Sequence, residues 1–195
     1  MFNTVSIIGC GLIGSSILRA IQKRNLAKEV KIFDLSKEVG AYLKKENICL
    51  NISTDIRNCI KDSDLIIIAT PLSSYKEIIL SIKDDLKRGT ILTDTGSVKK
   101  EVMKIIHNIN LKDVNWIPSH PIAGTEESGP KAGNADMFEN RWCIISPPKE
   151  VNTQSIKILK SFWENIGSKV KIMTPEEHDE ILSLTSHLPH AIAYN

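Results

Sequence analysis

The fold is decided by the stretch Val5-Ser6-Ile7-Ile8-Gly9-Cys10-Gly11-Leu12-Ile13-Gly14. Residues 5–8 predict a short buried strand, and the apolar stripe of residues 12–24 predicts an amphipathic helix that begins inside the stretch. A Gly-x-Gly-x-x-Gly run is weak alone but far more specific between a strand and a helix. There the first glycine makes a tight turn, the second lets the backbone approach a pyrophosphate, and the third lets helix and strand pack closely. We therefore expect a dinucleotide cofactor, with its phosphates at the helix N-terminus, to be bound by Gly9, Gly11, Leu12, Ile13 and Gly14.

An acidic residue stands where the second predicted strand ends. Asp34 lies 20 residues after Gly14, where a carboxylate accepts hydrogen bonds from the adenosine ribose hydroxyls and repels a 2′-phosphate. NAD is therefore favoured over NADP as the cofactor. The alternative is that the glycines form an ordinary turn and that Asp34 is only a turn residue. Thr70 and Pro71 follow another predicted strand and would line the same crevice, although a proline that merely ends the strand also explains this pattern.

Short β-branched and aliphatic runs alternate with segments of helical length along most of the chain. The predicted helices cover residues 12–24, 75–86, 98–108 and 152–167. The predicted strands cover residues 5–8, 30–33, 65–69, 91–93, 116–118, 143–146 and 170–173. The first four strands show little polar alternation, which is typical of parallel strands covered on both faces. The alternation predicts an α/β fold with a doubly wound, mostly parallel, Rossmann-type sheet and right-handed crossovers.

Composition and charge exclude several classes of protein. The 195 residues include 25 Lys and Arg against 23 Asp and Glu, which gives a net charge of +2, and 42% are hydrophobic, as in ordinary globular domains. The sequence has no basic cluster that would indicate a nucleic-acid partner, and no run approaches the ~20 apolar residues that cross a membrane. Four scattered cysteines indicate neither a disulfide framework nor a zinc site. Since there is no signal-peptide pattern either, we expect a soluble, cytoplasmic protein that acts on a small molecule.

The chain changes its organisation near residue 174. Thr174-Pro175-Glu176-Glu177 combines an N-cap, a proline at the first helical position and a capping-box glutamate, which predicts a helix over residues 175–186. Residues 1–173 are therefore predicted to form the nucleotide-binding domain, and residues 174–195 the beginning of a helical domain. A further helix begins at Pro189, and the sequence stops at Asn195 without a helix-end signal. A helix this short has little stability alone, so we expect either a partner that packs on it or a longer protein.

Two polar stretches, residues 93–99 and residues 119–126, follow predicted strands at the edge where open α/β sheets bind ligands. His120 is placed where a substrate next to a nicotinamide would lie. An imidazole, with a pKa of ~6.5, is a natural acceptor for the proton of an alcohol that loses hydride. Ser97 would hydrogen-bond either this imidazole or the substrate hydroxyl. The alternatives are that Ser97 only caps the following helix and that His120 is an ordinary loop histidine.

A second pair of histidines, His187 and His190, lies near the end of the sequence. As metal ligands they would need further ligands at matched spacing, and the residues around His178 form no known pattern with them. We therefore predict no metal site, and expect this pair to contact the substrate or to begin a helix. His178 is expected to be exposed or to contact another element of the fold.

Three runs in the sequence are Asp94-Thr95-Gly96-Ser97-Val98-Lys99, Ser119-His120-Pro121-Ile122-Ala123-Gly124-Thr125-Glu126-Glu127-Ser128-Gly129 and Ser186-His187-Leu188-Pro189-His190-Ala191. Together they closely resemble the prephenate dehydrogenase family of tyrosine biosynthesis, which includes arogenate dehydrogenases. The resemblance covers essentially the whole chain. It implies an NAD(P)-binding domain followed by a helical domain that dimerises and completes the active site.

The resemblance also implies roles for individual residues. His120 would accept the hydrogen bond of the ring hydroxyl, Ser97 would orient His120, and the substrate-binding residues would be Thr125, Glu126 at the site entrance, His187 and His190. The implied reaction is the NAD-dependent oxidative decarboxylation of prephenate to 4-hydroxyphenylpyruvate, carried out by a homodimer. Arogenate is the alternative substrate.

Two features of the family have no counterpart in the sequence. These are most of the helical domain and an arginine that binds a substrate carboxylate. A further alternative is therefore an NAD-binding chain that is catalytically incomplete by itself, with little prephenate dehydrogenase activity. Another hydroxy-acid or imine-reducing dehydrogenase on the same fold is disfavoured by the serine and His-Pro-Ile-Ala-Gly motifs.

Overall fold

The computed structural model describes residues 1–109, 111 and 113–183. The strands are β1 (Phe2–Ile8), β2 (Ala27–Phe33), β3 (Ile52–Ser53), β4 (Leu65–Ile68), β5 (Ile91–Asp94), β6 (Asn115–Trp116), β7 (Ser119–Pro121), β8 (Trp142–Ile145) and β9 (Lys169–Ile172). The helices are α1 (Leu12–Lys23), α2 (Lys37–Lys45), α3 (Ile56–Ile60), α4 (Tyr75–Ile82), α5 (Lys99–His107), α6 (Thr153–Asn165) and α7 (Pro175–Leu182), and 3-10 turns lie at Leu72–Ser74 and Pro130–Ala132. His187 and His190 lie outside the described residues.

Six strands form a parallel sheet in the order β3-β2-β1-β4-β5-β6. Strand β1 lies between β2 and β4, with Ile7 opposite both Ile32 and Ile67. The chain winds outward from β1 in one direction and from β4 in the other, so the predicted doubly wound, mostly parallel sheet is confirmed. At such a reversal the crossovers leave a crevice beyond the carboxyl ends of the two central strands. This crevice is where a ligand is expected.

The last three strands form a separate sheet in the order β7-β8-β9. Two of them, β8 and β9, correspond to the predicted strands 143–146 and 170–173, which we expected to belong to the first sheet. Strand β7 runs antiparallel to β8, and β8 runs parallel to β9. The ladder between β6 and β5 ends at Ile117, whose backbone N donates to the carbonyl oxygen of Leu92 (2.9 Å); at the next donor position, the backbone N of Ser119 donates to the side-chain Oδ1 of Asp94 (3.3 Å). The carbonyl oxygen of Pro118 accepts a hydrogen bond from the backbone N of Ser146 (2.9 Å), next to the second sheet. Residues 119–121, which we placed in a polar stretch after a strand, are therefore themselves a strand.

The start of α7 has the predicted capping box. Oγ1 of Thr174 accepts a hydrogen bond from the backbone N of Glu177 (3.2 Å), and Oε2 of Glu177 accepts one from the backbone N of Thr174 (2.8 Å). Pro175 occupies the first helical position. The helix start is confirmed, while the division of the chain into domains at this point stays a prediction.

Helices cover both faces of the parallel sheet, which explains its apolar central strands. All four residues of β4 are buried. Successive side chains of a strand point to opposite faces, so Ile7 packs in one cluster with residues of α1 and α6, and Ile8 packs in the other with residues of α4. No helix among the described residues is long and apolar enough to cross a membrane.

Candidate active site

The glycine loop, residues 9–14, connects β1 to α1 at the carboxyl edge of the parallel sheet. Gly9 has a φ of +87°, a conformation that residues with a Cβ avoid. A Cβ at Gly14 would overlap the carbonyl oxygen of Gly9, so Gly14 permits the close packing of α1 on the loop. Gly11, the N-cap of α1, has only open space where a Cβ would be. The open space at Gly11, in front of a helix N-terminus, fits a pyrophosphate.

Asp34 is held beside the glycine loop by two hydrogen bonds. Its Oδ2 accepts from the backbone N of Cys10 (2.7 Å), and its Oδ1 accepts from the backbone N of Ser36 (2.9 Å). The carboxylate therefore has a fixed position between the end of β2 and the loop. Because an ionised carboxylate has about four lone-pair sites, these two bonds leave acceptor capacity that fits ribose hydroxyls.

Thr70 and Pro71 follow β4 next to the glycine loop. A Cβ at Gly9 would lie 2.6 Å from Cγ2 of Thr70, and Oγ1 of Thr70 accepts a hydrogen bond from Oγ of Ser74 (2.8 Å). The thiol of Cys10, inside the loop, is buried, which raises its pKa to about 12. The structure thus brings the predicted cofactor residues to one edge of the sheet, around an uncharged thiol.

A buried ion pair lies directly after β5. Nζ of Lys99 donates to Oδ2 of Asp94 (2.6 Å) and to the carbonyl oxygen of Ser119 (2.7 Å), and both charged side chains are fully buried. The same carboxylate oxygen accepts from the backbone N of Gly96 (2.8 Å) and from the hydroxyl of Tyr75 (3.3 Å). Burial lowers the pKa of Lys99, and the carboxylate of Asp94 opposes that shift. The pair ties the end of β5 to the first residue of β7.

His120 lies in the middle of β7, where it pairs with Ile144 of β8. Its Nδ1 is 2.9 Å from Nε2 of His178 on α7, and the two rings meet edge to face with centroids 5.1 Å apart. His178 is fully buried, so the expectation of an exposed side chain is wrong and the alternative, a contact between elements, is right. The ring of His120 is therefore oriented by a residue 58 positions further along the chain.

Asp179 connects this histidine pair to the start of α5. Its Oδ1 is 2.7 Å from Nδ1 of His178 and accepts from the backbone N of Lys99 (2.8 Å), while its Oδ2 accepts from the backbone N of Lys100 (2.9 Å). The N-cap residue of α5 is Val98, whose side chain makes no capping hydrogen bond. A carboxylate from α7 therefore caps α5, at the end where the helix dipole favours negative charge.

The protonation states of this network follow from its hydrogen bonds and its burial. Partial burial would raise the pKa of Asp179, but the hydrogen bonds from the two backbone amides and from His178 hold that pKa below its usual value. Burial lowers the pKa of His178, and the hydrogen bond to Asp179 opposes the shift. At neutral pH, His178 is therefore a neutral imidazole beside an ionised carboxylate.

The lowered pKa of His178 makes the stability of the fold depend on pH. In the unfolded chain a histidine has a pKa of ~6.5. Just below this pH, His178 is therefore protonated in the unfolded state but stays neutral in the folded state. We expect the free energy of unfolding to fall as the pH is lowered from ~6.5 through the folded pKa, and to fall less steeply in His178→Gln. Urea denaturation at a series of pH values measures both slopes. His107→Gln, at an exposed site, is the control, and equal slopes in His178→Gln and the unmodified chain would contradict the assignment.

The other residues assigned to the chemical site are exposed or lie beyond the described residues. Ser97, in the turn between β5 and α5, is exposed, and because the N-cap of α5 is the next residue, the alternative that Ser97 caps this helix is wrong. Thr125 and Glu126 are exposed in the loop after β7. Their contacts with a substrate stay predictions, as do those of His187 and His190.

Sequence reasoning did not assign three members of this network, Lys99, His178 and Asp179, to the candidate site. Nothing in the sequence separates the fully buried Lys99 from the exposed Lys100 beside it. Asp179 comes shortly after two acidic residues in the first turn of α7, Glu176 and Glu177, which the helix dipole alone explains, and nothing in the sequence distinguishes Asp179 from them. The one usable signal is a histidine next to an aspartate directly after a capping box.

The cysteines and the acidic groups of the described residues form no metal site. All four cysteines are buried free thiols, and burial raises the pKa of Cys59 to about 12. Across residues 1–109, 111 and 113–183, no group of three or more His, Cys, Asp or Glu side chains is arranged to hold a metal ion.

Comparison with known proteins identifies the family. Residues 17–172 match the family model described as prephenate dehydrogenase, nucleotide-binding domain. This match covers well over half of the chain. The chain belongs to the prephenate dehydrogenase family. The resemblance that we drew from the three motif runs is thereby confirmed.

Two curated relatives and one solved structure show how much of this family the chain represents. Cyclohexadienyl dehydrogenase of Zymomonas mobilis is 38% identical over 194 residues, which are 100% of this chain and 66% of that protein. Prephenate dehydrogenase of Bacillus subtilis is 29% identical over 194 residues, which are 99% of this chain and 52% of that protein. The chain thus spans between about half and about two thirds of these relatives. The crystal structure of prephenate dehydrogenase from A. aeolicus with hydroxyphenyl propionate and NAD+ has a TM-score of 0.90 at 28% identity, covering 100% of this chain and 68% of that chain.

Proposed function

We propose that the chain is the NAD-binding part of a prephenate dehydrogenase, which converts prephenate to 4-hydroxyphenylpyruvate and CO2. The observation that carries the proposal is a shared edge of the parallel sheet. The glycine loop follows β1 and His120 follows β6, so both lie beyond the carboxyl ends of parallel strands. This topology puts the imidazole of His120, which we propose as the proton acceptor, on the side of the sheet where open α/β sheets bind ligands. When bound, NAD supplies the acceptor for the hydride that the oxidation removes.

The residues around the crevice fit NAD. Gly11 has open space where a Cβ would be, and the backbone amides at the start of α1, at Leu12 and Ile13, would bind the phosphates. Asp34, already fixed by the backbone N of Cys10 (2.7 Å), would accept hydrogen bonds from the ribose hydroxyls. Thr70 and Pro71 would line the crevice on the β4 side.

His120 would act as the acceptor for the hydroxyl proton while the ring alcohol is oxidised. The C–H bond at the hydroxyl carbon breaks with its electron pair, the O–H bond gives its proton to His120, and a carbonyl forms. The ring carboxylate then leaves as CO2, the electron pair of the broken C–C bond makes the ring aromatic, and the carbonyl oxygen takes up a proton to become the phenolic hydroxyl. Because aromatisation drives the reaction, the protein mainly has to position and deprotonate the substrate. The further substrate contacts that we propose come from Ser97, Thr125, Glu126, His187 and His190.

Arogenate is the alternative substrate, because it has the same ring alcohol and ring carboxylate and differs only in its side chain. The name of the Zymomonas mobilis relative, cyclohexadienyl dehydrogenase, refers to the ring and not to the side chain, which supports testing both compounds. We also propose that the helical domain beginning at Thr174 forms a homodimer. Analytical ultracentrifugation of the full gene product tests the dimer.

Two measurements test the proposal. Calorimetric titration of the 195-residue chain with NAD tests the cofactor, and NADH formation by the full gene product in the presence of prephenate or arogenate tests the reaction. We expect NAD binding and NADH formation that depends on one of these substrates. A folded chain that does not bind NAD would overturn the cofactor assignment. A full gene product that is inactive with both substrates would overturn the reaction.

Asp34 is expected to set the preference between the two nicotinamide cofactors. The unmodified chain should bind NAD more tightly than NADP, because the carboxylate accepts from the ribose hydroxyls and repels a 2′-phosphate. Asp34→Ala should narrow this difference, measured by calorimetric titration with both cofactors. Asp84→Ala is the control, because the Asp84 side chain is 86% exposed and far along the sequence from the glycine loop. Equal or tighter binding of NADP to the unmodified chain would contradict the prediction.

A further inference from the structure

In the chain of hydrogen bonds from α5 to His120, the donor and the acceptor of each bond can be assigned, starting at Asp179. The backbone amides of Lys99 and Lys100 can only donate, and they donate to the two carboxylate oxygens at 2.8 and 2.9 Å. The pKa of Asp179 is held below its usual value in spite of its partial burial, so the carboxylate carries no proton of its own at neutral pH. At the 2.7 Å contact with Nδ1 of His178, the carboxylate is therefore the acceptor and the imidazole is the donor.

The direction continues through His178. A neutral imidazole has one N–H and one nitrogen with a lone pair. Because Nδ1 of His178 donates to Asp179, Nε2 has the lone pair and must accept. The fully buried position of His178 and the nearby ammonium of Lys99 both disfavour a second proton on this ring. The group that faces Nε2 at 2.9 Å is Nδ1 of His120, so Nδ1 of His120 is the donor.

We propose that His178 and Asp179 are positioning residues that fix the tautomer of His120, with the proton on Nδ1 and the lone pair on Nε2. This inference rests on the proposed function in one respect, which is the use of His120 as the proton acceptor. It adds which nitrogen accepts the proton and which side chains make that nitrogen available. The same hydrogen bonds stabilise His120 after it has accepted a proton. The positively charged ring then donates from Nδ1 to His178, which in turn donates to the carboxylate of Asp179.

A reversed direction would leave His120 unable to act at Nε2. If His178 donated from Nε2, Nδ1 of His120 would have to accept, and its only proton would be on Nε2. Such a ring can donate to a substrate oxygen but cannot take a proton from it there. The tautomer of a histidine is set by the hydrogen bond that its other nitrogen makes, so the fixed carboxylate of Asp179 decides the chemistry of a ring that it does not touch.

Nitrogen NMR of the 195-residue chain labelled with 15N-histidine tests the proposal directly at pH 8, where neutral rings dominate. The His120 signals are assigned by their loss in His120→Gln. We expect the unmodified chain to show a protonated Nδ1 and an unprotonated Nε2 on His120. In His178→Phe, which keeps a ring but no acceptor, this preference should be lost. In His178→Gln, whose side-chain oxygen accepts a hydrogen bond, it should be kept.

Asp179→Asn tests the direction itself. The amide has one oxygen for two backbone N–H groups that bind different carboxylate oxygens in the unmodified chain, and where its NH2 takes the place of Oδ1 it donates to Nδ1 of His178 and reverses both histidine bonds. We expect the His120 proton to lose its preference for Nδ1 and, in the full gene product, turnover to fall by up to about 10²-fold, as for a weakened general base. Glu180→Gln, an exposed carboxylate on the same helix, is the matched control and should change neither quantity.

The outcomes separate this inference from the proposed function. A proton on Nε2 of His120 in the unmodified chain, or an unchanged tautomer in both His178→Phe and Asp179→Asn, would overturn it whatever the cofactor and substrate are. A chain that fails to bind NAD but shows the expected tautomers would overturn the cofactor assignment and leave the positioning roles supported. If His178→Phe does not fold, the unmodified chain and Asp179→Asn still decide the question.

Discussion

Lys99→Met is expected to destabilise the fold by about 3–5 kcal/mol, because it leaves the carboxylate of Asp94 buried without its counter-charge. Both side chains are fully buried, and the ammonium also donates to the carbonyl oxygen of Ser119 (2.7 Å). Methionine keeps the length of the side chain but supplies neither the charge nor the hydrogen bonds. Urea denaturation of the two proteins, followed by circular dichroism, measures the change in the free energy of unfolding.

Lys100→Met is the matched control, because Lys100 is the exposed neighbour, and it should change stability by less than about 0.5 kcal/mol. Combining Lys99→Met with Asp94→Asn should recover part of the loss, since both charges are then removed together. Equal destabilisation by the two lysine substitutions would show that the ion pair contributes nothing to stability. A double variant less stable than Lys99→Met alone would show that Asp94 does not cause the loss.

His120→Asn is expected to lower turnover of the full gene product by about 10²- to 10⁴-fold, the usual cost of a lost general base. The affinity for NAD should be nearly unchanged, because the glycine loop and Asp34 follow other strands, β1 and β2. Steady-state oxidation of prephenate measures turnover, and calorimetric titration measures NAD affinity. His107→Asn, at the exposed end of α5, should leave both unchanged. Turnover close to that of the unmodified enzyme in His120→Asn would remove His120 from the mechanism.

The sequence by itself determined the parallel sheet and the glycine loop. These features are encoded locally: a buried strand needs consecutive apolar residues, and the turn after β1 needs glycine at Gly9 and Gly14, whichever residues lie elsewhere. The position of Asp34 follows in the same way, because β2 is parallel to β1 and ends at the same edge. The capping box at Thr174 was likewise predictable, since its hydrogen bonds join residues within one helical turn.

Only the tertiary structure decided which residues contact one another around His120. The second sheet depends on contacts between residues far apart in the sequence: the carbonyl oxygen of Pro118 accepts from Ser146, and β7 pairs with β8. Asp179 reaches the amides of Lys99 and Lys100 because α7 packs against α5. The burial of a lysine or a histidine depends on which element covers it, and a charged residue looks the same in the sequence whether it is solvated or paired in a core. Local patterns therefore specified where a cofactor fits, while the packing of distant helices specified the groups that orient His120.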